Sequence, residues 1–164
     1  MVSVNTIQSG TVFAWFMLVT VLRRVVMLIV AGVAQRGKPF PPGSRVPEDN
    51  ILRRGHVEPT TTTTSNPIEF TKDVRVNKTI NNDSENDPYF LILLLATAVF
   101  SDMPTHRSTR TIIYGLIYLV ARILYAVTYI MALQPWRTIV YTVGLAVTLA
   151  CSLDLVITTS LREN

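Results

Sequence analysis

Four apolar stretches, 11–34, 88–101, 111–133 and 138–158, interrupt an otherwise polar chain of 164 residues. A helix needs about 20 mostly apolar residues to cross the hydrocarbon core of a bilayer. The first, third and fourth stretches reach that length. The second does not, and it spans only if its helix begins earlier, in the polar residues before Pro88. The expected architecture is therefore an all-α membrane protein. Residues 1–164 would form one domain, a bundle of four transmembrane helices in up-down order. The helices are expected at about 11–34, 74–101, 111–133 and 136–160, with a long loop over 35–73. The first stretch does not read as a signal peptide. No Lys or Arg precedes it, and no small-residue cleavage site ends it.

The charges orient the bundle. The polar connection 35–87 carries eight Lys and Arg residues, from Arg36 to Lys78, whereas the first ten residues carry none. Arg137 lies in the turn between the third and fourth helices. Arg107 and Arg110 lie between the second and third. Basic loops stay in the cytosol, which places the long loop and the 3–4 turn there and both termini in the lumen. Within the loop, TTTTTS at 60–65 is a low-complexity spacer. Asn77-Lys-Thr and Asn82-Asp-Ser have the form of glycosylation sequons, but a cytosolic segment leaves them unused.

Other function classes are poorly supported. A single cysteine, Cys151, cannot build a disulfide framework within the chain, and its apolar surroundings mark it as a buried thiol. The net charge of +4 is spread out, with no basic stripe interleaved with aromatics, which argues against nucleic acid as a partner. No glycine-rich phosphate loop, His/Cys metal cluster or G-x-S-x-G elbow occurs.

Polar residues inside the apolar stretches carry the functional signal. Tyr114, Tyr118, Arg122, Tyr125 and Tyr129 are spaced by 4, 4, 3 and 4 and share one helical face. An arginine in hydrocarbon is costly and should face the bundle interior or a polar cavity. A tyrosine belt would sit at the helix ends, whereas this stripe runs along most of the helix. On a second helix beginning near Val74, Arg75, Lys78, Asn82, Glu85 and Tyr89 recur every 3 or 4 residues, a mixed-charge stripe at the cytosolic mouth. The fourth helix opens with PWRTIVY. Pro135 suits a helix start, and Arg137 and Thr138 would occupy a first turn whose free N–H groups favour an anion. Tyr141 lies one turn on. Arg23 and Arg24 sit mid-span in the first helix, about 100° apart. At least one should pair with a carboxylate on the second helix, Glu85 or Asp83.

Four motifs in order carry a resemblance. VPED at 46–49, with Arg36 upstream, looks like an N-P-E-D motif after a first helix. NDSEN at 82–86 followed by Pro88-Tyr89-Phe90 looks like N-D-x-E-x-x-x-P-F. ARILYAVTYI at 121–130 and PWRTIVY at 135–141 resemble A-R-x-x-H-T-x-A-Y and P-x-R-S-x-x-Y. Together they resemble the MAPEG family of membrane-associated proteins in eicosanoid and glutathione metabolism. Its glutathione-transferase and prostaglandin-synthase branches are the most similar. Asn77, Ile80 and Tyr125 stand where members commonly have Arg, His and His.

The resemblance implies a homotrimer of four-helix subunits in the endoplasmic reticulum membrane, or alternatively the mitochondrial outer membrane, with the active site facing the cytosol. Glutathione would be the co-substrate. Arg36, Arg75, Lys78, Asn82, Glu85, Arg122, Tyr125 and Tyr129 would bind it. Arg137 would stabilise its thiolate, with Thr138, Tyr141 and Asp49 completing the catalytic set and no metal. The implied activity is transfer of glutathione to hydrophobic electrophiles arriving through membrane lipid, or reduction of lipid hydroperoxides. The alternatives are a non-catalytic lipid-binding or scaffold protein, to which Asn77 and Ile80 point, and a glutathione-dependent prostaglandin-type isomerase, which Asp49 and Thr138 allow.

Overall fold

A computed structural model describes residues 8–34, 72–102, 105 and 107–161. The described residues form four helices and no strands. They are α1 (Ser9–Ala34), α2 (Lys72–Ala96, prolonged by a π-helical turn over Thr97–Asp102), α3 (Thr109–Ile130) and α4 (Trp136–Ser160). Helices α1, α3 and α4 are each long and apolar enough to cross a membrane. Helix α2 does begin in the polar residues before Pro88, as its short apolar half requires. Helix α3 stops at Ile130 rather than 133, because Ala132 takes a φ of 60°, in the left-handed region where an alanine cannot continue the helix. The Thr-rich segment at 60–65 lies outside the described residues.

The helices alternate in direction. Ser9 Oγ donates to the Ala98 carbonyl at 3.0 Å, while Met27 and Ala31 pack on Val76, so α1 and α2 run antiparallel along their full lengths. Asn82 meets Arg122 and Ser101 meets Arg110, which sets α3 antiparallel to α2. Tyr125 meets Tyr141 and Arg110 meets Thr158, which sets α4 antiparallel to α3. The up-down order follows.

Threonines are frequent in these helices and fit because their hydroxyls bond the helix's own backbone. Thr128, Thr142 and Thr159 donate to the carbonyls four residues back at 2.8, 2.9 and 2.8 Å. No polar hydrogen is then presented to an apolar neighbour.

Two apolar clusters fill the interior. One joins Met27, Ala31, Val76 and Ala126; the other joins Phe90, Leu94 and Tyr118, with Phe13, Phe16 and Val147 around it. The Phe90 and Tyr118 rings stack in parallel with centroids 3.7 Å apart. Gly115 lets α1 approach α3. A Cβ at this position would lie 3.1 Å from the Phe16 ring and 3.6 Å from Leu94.

A charged layer adjoins these clusters and ties three helices. Arg23 Nη2 on α1 reaches Asp87 Oδ2 at 2.5 Å and Asp83 Oδ2 at 3.3 Å, both on α2. Arg122 on α3 approaches the same pair, Asp87 Oδ1 at 3.6 Å and Asp83 Oδ1 at 3.9 Å. It also donates to Asn82 Oδ1 at 2.8 Å and to the Tyr118 hydroxyl at 2.9 Å, and that hydroxyl donates to Asp87 at 3.0 Å. Two cations thus face two anions. Arg23 finds a carboxylate on α2, as expected. Asp83 is one of its partners, whereas Glu85 is exposed on another side of α2 and Asp87 takes the second place. The difference is angular: Asp83 and Asp87 are four apart and share a face, while Glu85 sits about 200° around from Asp83.

A second polar knot closes the opposite end. Arg110 lies in the first turn of α3 rather than in a loop. It donates to Ser101 and Thr158 at 2.6 and 2.5 Å and approaches Asp154 on α4 at 3.6 Å. The π turn brings buried Asp102 to the start of α3, where it accepts from the Thr111 backbone N–H at 2.9 Å and hydroxyl at 2.8 Å.

Two outcomes follow for detergent-purified protein. Asp87→Ala leaves buried cations short of a partner and costs about 3–5 kcal/mol, read as a lowered thermal midpoint; an unchanged midpoint would contradict the tie. Gly115→Leu overpacks the α1–α3 approach by about 1–3 kcal/mol, and Phe16→Ala in the same chain should recover part of that loss.

Candidate functional site

At the Ala34 end of the bundle, α2, the α3–α4 turn and α4 enclose a cleft of about 450 Å³ lined by Arg75, Lys78, Tyr129, Ala132, Gln134 and Arg137. Each comes from a feature of local sequence. Arg75 and Lys78 are three apart in the polar first half of α2 and so project from one side. Tyr129 ends the tyrosine face of α3. The turn at Ala132 folds α4 back so that Arg137 lies above Tyr129, its guanidinium carbon 4.8 Å from the ring centroid. That distance is within cation–π range. The aromatic floor continues inward: the Tyr125 centroid lies 5.6 Å from that of Tyr129 and 5.9 Å from that of Tyr141.

Among the described residues the cleft's charged lining is cationic. Arg75, Lys78 and Arg137 line it, with no described acid beside them. Walls of one sign focus the field and raise the local concentration of anions. Two arginines add planar donor forks suited to carboxylates. Tyrosine faces beside them offer an apolar shelf for the body of a ligand.

The start of α4 differs from expectation. The amides of Arg137 and Thr138, in its first turn, are not free to receive an anion. The Arg137 N–H donates to the Leu133 carbonyl at 3.1 Å, and those of Thr138 and Ile139 donate to the Pro135 carbonyl at 3.0 and 3.3 Å. The turn that aims Arg137 uses up these amides, so the pull on an anion comes from side chains.

The residues singled out by sequence separate into groups. Arg75, Lys78, Tyr129 and Arg137 meet in the cleft, with Tyr125 and Tyr141 packed behind Tyr129. Asn82 and Arg122 turn inward to the charged layer, where Arg122 is buried and matched by Asp83, Asp87, Asn82 and Tyr118. The arginine inside hydrocarbon is thus satisfied within the protomer. Glu85 and Thr138 are exposed and do not line the cleft. Arg36 and Asp49 lie outside the described residues. Gln134 and Ala132 were not anticipated. Their place in the cleft depends on a turn conformation that no periodicity announces.

The comparisons with known proteins agree with this architecture. No individual curated protein matches the chain. The family model does: it covers residues 12–157, nearly the whole sequence and all four helices. The chain belongs to the MAPEG family.

Proposed function

We propose that the protein is a glutathione-dependent membrane transferase or peroxidase, and that the cationic cleft holds glutathione as its thiolate. The observation that carries this reading is the convergence of Arg75, Lys78 and Arg137 on one cleft beside Tyr129. Glutathione has two carboxylates and a thiol, and its net charge is negative at neutral pH. Arg75 and Lys78 are suited to the carboxylates, and Arg137 to the sulfur. Stabilising the anion by one pKa unit raises the thiolate fraction near neutral pH about tenfold. Glu85 is assigned to the ammonium group. In this reading Tyr141 and Asp49 assist the chemistry and Arg36 helps bind, while Asn82 acts through Arg122 in the charged layer rather than on the ligand.

The protein acts as a homotrimer in which α2 also spans the bilayer, so that its polar half reaches the cytosolic mouth. The endoplasmic reticulum membrane is the assigned location, with the mitochondrial outer membrane as the other candidate. Hydrophobic electrophiles arrive laterally through lipid. In transfer, the sulfur forms a bond to the electrophilic carbon as the leaving group departs or the adjacent double bond takes up a proton. In peroxide reduction, two glutathiones are oxidised to the disulfide while the hydroperoxide is reduced to an alcohol and water.

The first measurement is equilibrium binding of glutathione to detergent-purified protein, followed by the ultraviolet absorbance of the thiolate. Binding with a thiolate signal supports the reading; no binding at millimolar glutathione returns the chain to the scaffold alternative. Arg137→Ala should lower kcat by at least about tenfold, corresponding to about 1.4 kcal/mol of lost transition-state stabilisation. Glutathione binding should weaken less, and the thiolate signal should disappear. Equal losses in binding and turnover would remove Arg137 from that role. Lys78→Met should instead raise the KM for glutathione by about tenfold or more, with kcat nearly kept, as expected for one lost charged hydrogen bond of about 1.5–3 kcal/mol.

A further inference from the structure

The turn between α3 and α4 is apolar on its outside. Met131 and Trp136 are 63% and 59% exposed, and Leu133 is exposed between them. Exposed apolar surface continues on either side: Leu124 and Val127 lead into the turn along α3, and Ile139 and Val143 lead away along α4. Gln134 is the one polar side chain over 131–136, and it lines the cleft. The connection between α2 and α3 is built the other way. Its described residues are polar: Thr105, Arg107 and Ser108 follow Asp102, and Arg110 opens α3. Water is a poor solvent for the α3–α4 turn, and scattered surface apolar residues do not account for a cluster this close in sequence.

Helix length fixes where the turn lies. At about 1.5 Å per residue, the 22 residues of α3 and the 25 of α4 are about 33 and 38 Å long. The hydrocarbon core of a bilayer is about 30 Å thick, so the shared end of these two spans falls close to the edge of the core. Tryptophan concentrates at that depth, where the ring body meets hydrocarbon and the N–H meets polar groups. Arg137 follows Trp136 directly, about 1.5 Å further along the helix axis. Its guanidinium lies over Tyr129 in the cleft. The mouth of the cleft is thus level with the tryptophan.

We infer that Met131, Leu133 and Trp136 lie in the acyl–headgroup boundary of the membrane, and that the cleft beside them acts on amphiphiles whose electrophilic carbon is near their polar end. The substrate class rests on the glutathione reading above and adds which hydrophobic electrophiles reach the sulfur. A chain molecule in a bilayer keeps its polar end at the boundary and its methyl end in hydrocarbon. A reactive carbon near the polar end meets a sulfur held by Arg137 while the rest of the molecule stays in lipid. A reactive carbon near the methyl end reaches the same sulfur only if the chain is lifted toward water, which loses the burial of each methylene. For an unsaturated ketone, the sulfur bonds to the carbon far from the carbonyl. The π electrons shift toward the carbonyl, and the carbon beside it takes up the proton that the thiol gave up.

Trp15 and Trp136 are the two tryptophans of the chain, so Trp15→Phe leaves Trp136 as the single reporter of depth. This variant is placed in phosphatidylcholine vesicles. Its quenchers are lipids brominated near the headgroup, at mid-chain or near the methyl end, and iodide in the water on both sides. Trp136 should be quenched most by bromine near the headgroup and little by iodide. Strong quenching by iodide puts the turn in water, quenching by no probe puts it under protein, and strongest quenching by deeper bromine puts it inside the core; each overturns the inference. Adding Met131→Ser and Leu133→Ser should roughly halve the quenching by headgroup-level bromine with helical circular dichroism unchanged; unaltered quenching removes the anchoring role. The substrate class is read with two neutral long-chain alcohols of equal length carrying the same unsaturated ketone, near the hydroxyl in one and near the methyl end in the other. Each rate is normalised to that of glutathione in protein-free vesicles. The wild-type protein should favour the first by about tenfold or more in kcat/KM, and equal or reversed preference overturns the substrate class. If glutathione does not bind, the substrate class falls with the glutathione reading, while the depth of the turn is still decided by the quenching alone.

Discussion

Three helices are tied at one level by two arginines and two aspartates, and much of the remaining structure is arranged around that tie. Removing an ion from water costs several kcal/mol even in a relaxed protein interior. Arg23 and Arg122 are tolerable only because Asp83 and Asp87 face both of them and because Tyr118 and Asn82 add hydrogen bonds. Such a cluster contributes less to net stability than to alignment. Apolar side chains on a membrane helix slide against each other at little cost, since lipid is as apolar as they are. A charged pair fixes the register, because a one-turn slip of about 5.4 Å separates every partner. Phe90 stacking on Tyr118 and Phe16 seating over Gly115 both require the register that the charges set.

The two ends of the bundle have opposite characters. Toward Ser9, Arg110 is bound to Ser101 and Thr158 and faces Asp154, and Asp102 caps α3, so these three charges have partners within the bundle. Toward Ala34, Arg75, Lys78 and Arg137 converge on one cleft. A bundle that gathers described cations at one mouth is suited to receiving an anion there. Fixing α2 and α3 through Asp83, Asp87 and Arg122 also fixes the spacing between Arg75 and Lys78 on one side and Tyr129 on the other. The tie therefore supports the cleft without lining it.

Arg122 and Arg137 illustrate how alike two arginines look in sequence and how differently they are used. Both lie beside tyrosines at helical spacing, and both resemble family positions that meet glutathione. Arg122 is buried and saturated by the protomer. Arg137 is half-exposed over Tyr129 and opens onto the cleft. Which arginine is matched depends on the aspartates of another helix, and residue spacing along one helix carries no information about that.

The sequence by itself determined the helical class, the positions of the helices, the tyrosine face of α3 and the need for Arg23 to find a carboxylate on α2. These follow from length, period and the cost of charge in hydrocarbon, all of which act within a single helix or on any neighbour. Only the tertiary structure decided that Asp87 joins Asp83, that Arg110 is a bound group rather than a loop charge, and that the Arg137 and Thr138 amides of α4 are already used. Each of these depends on where a second element lies to within an ångström or two. The turn at Ala132 is the clearest case. One residue in a left-handed conformation ends α3 early, aims Arg137 at Tyr129 and shapes the cleft, and no hydrophobic pattern signals it, because the pattern reports burial and not backbone torsion.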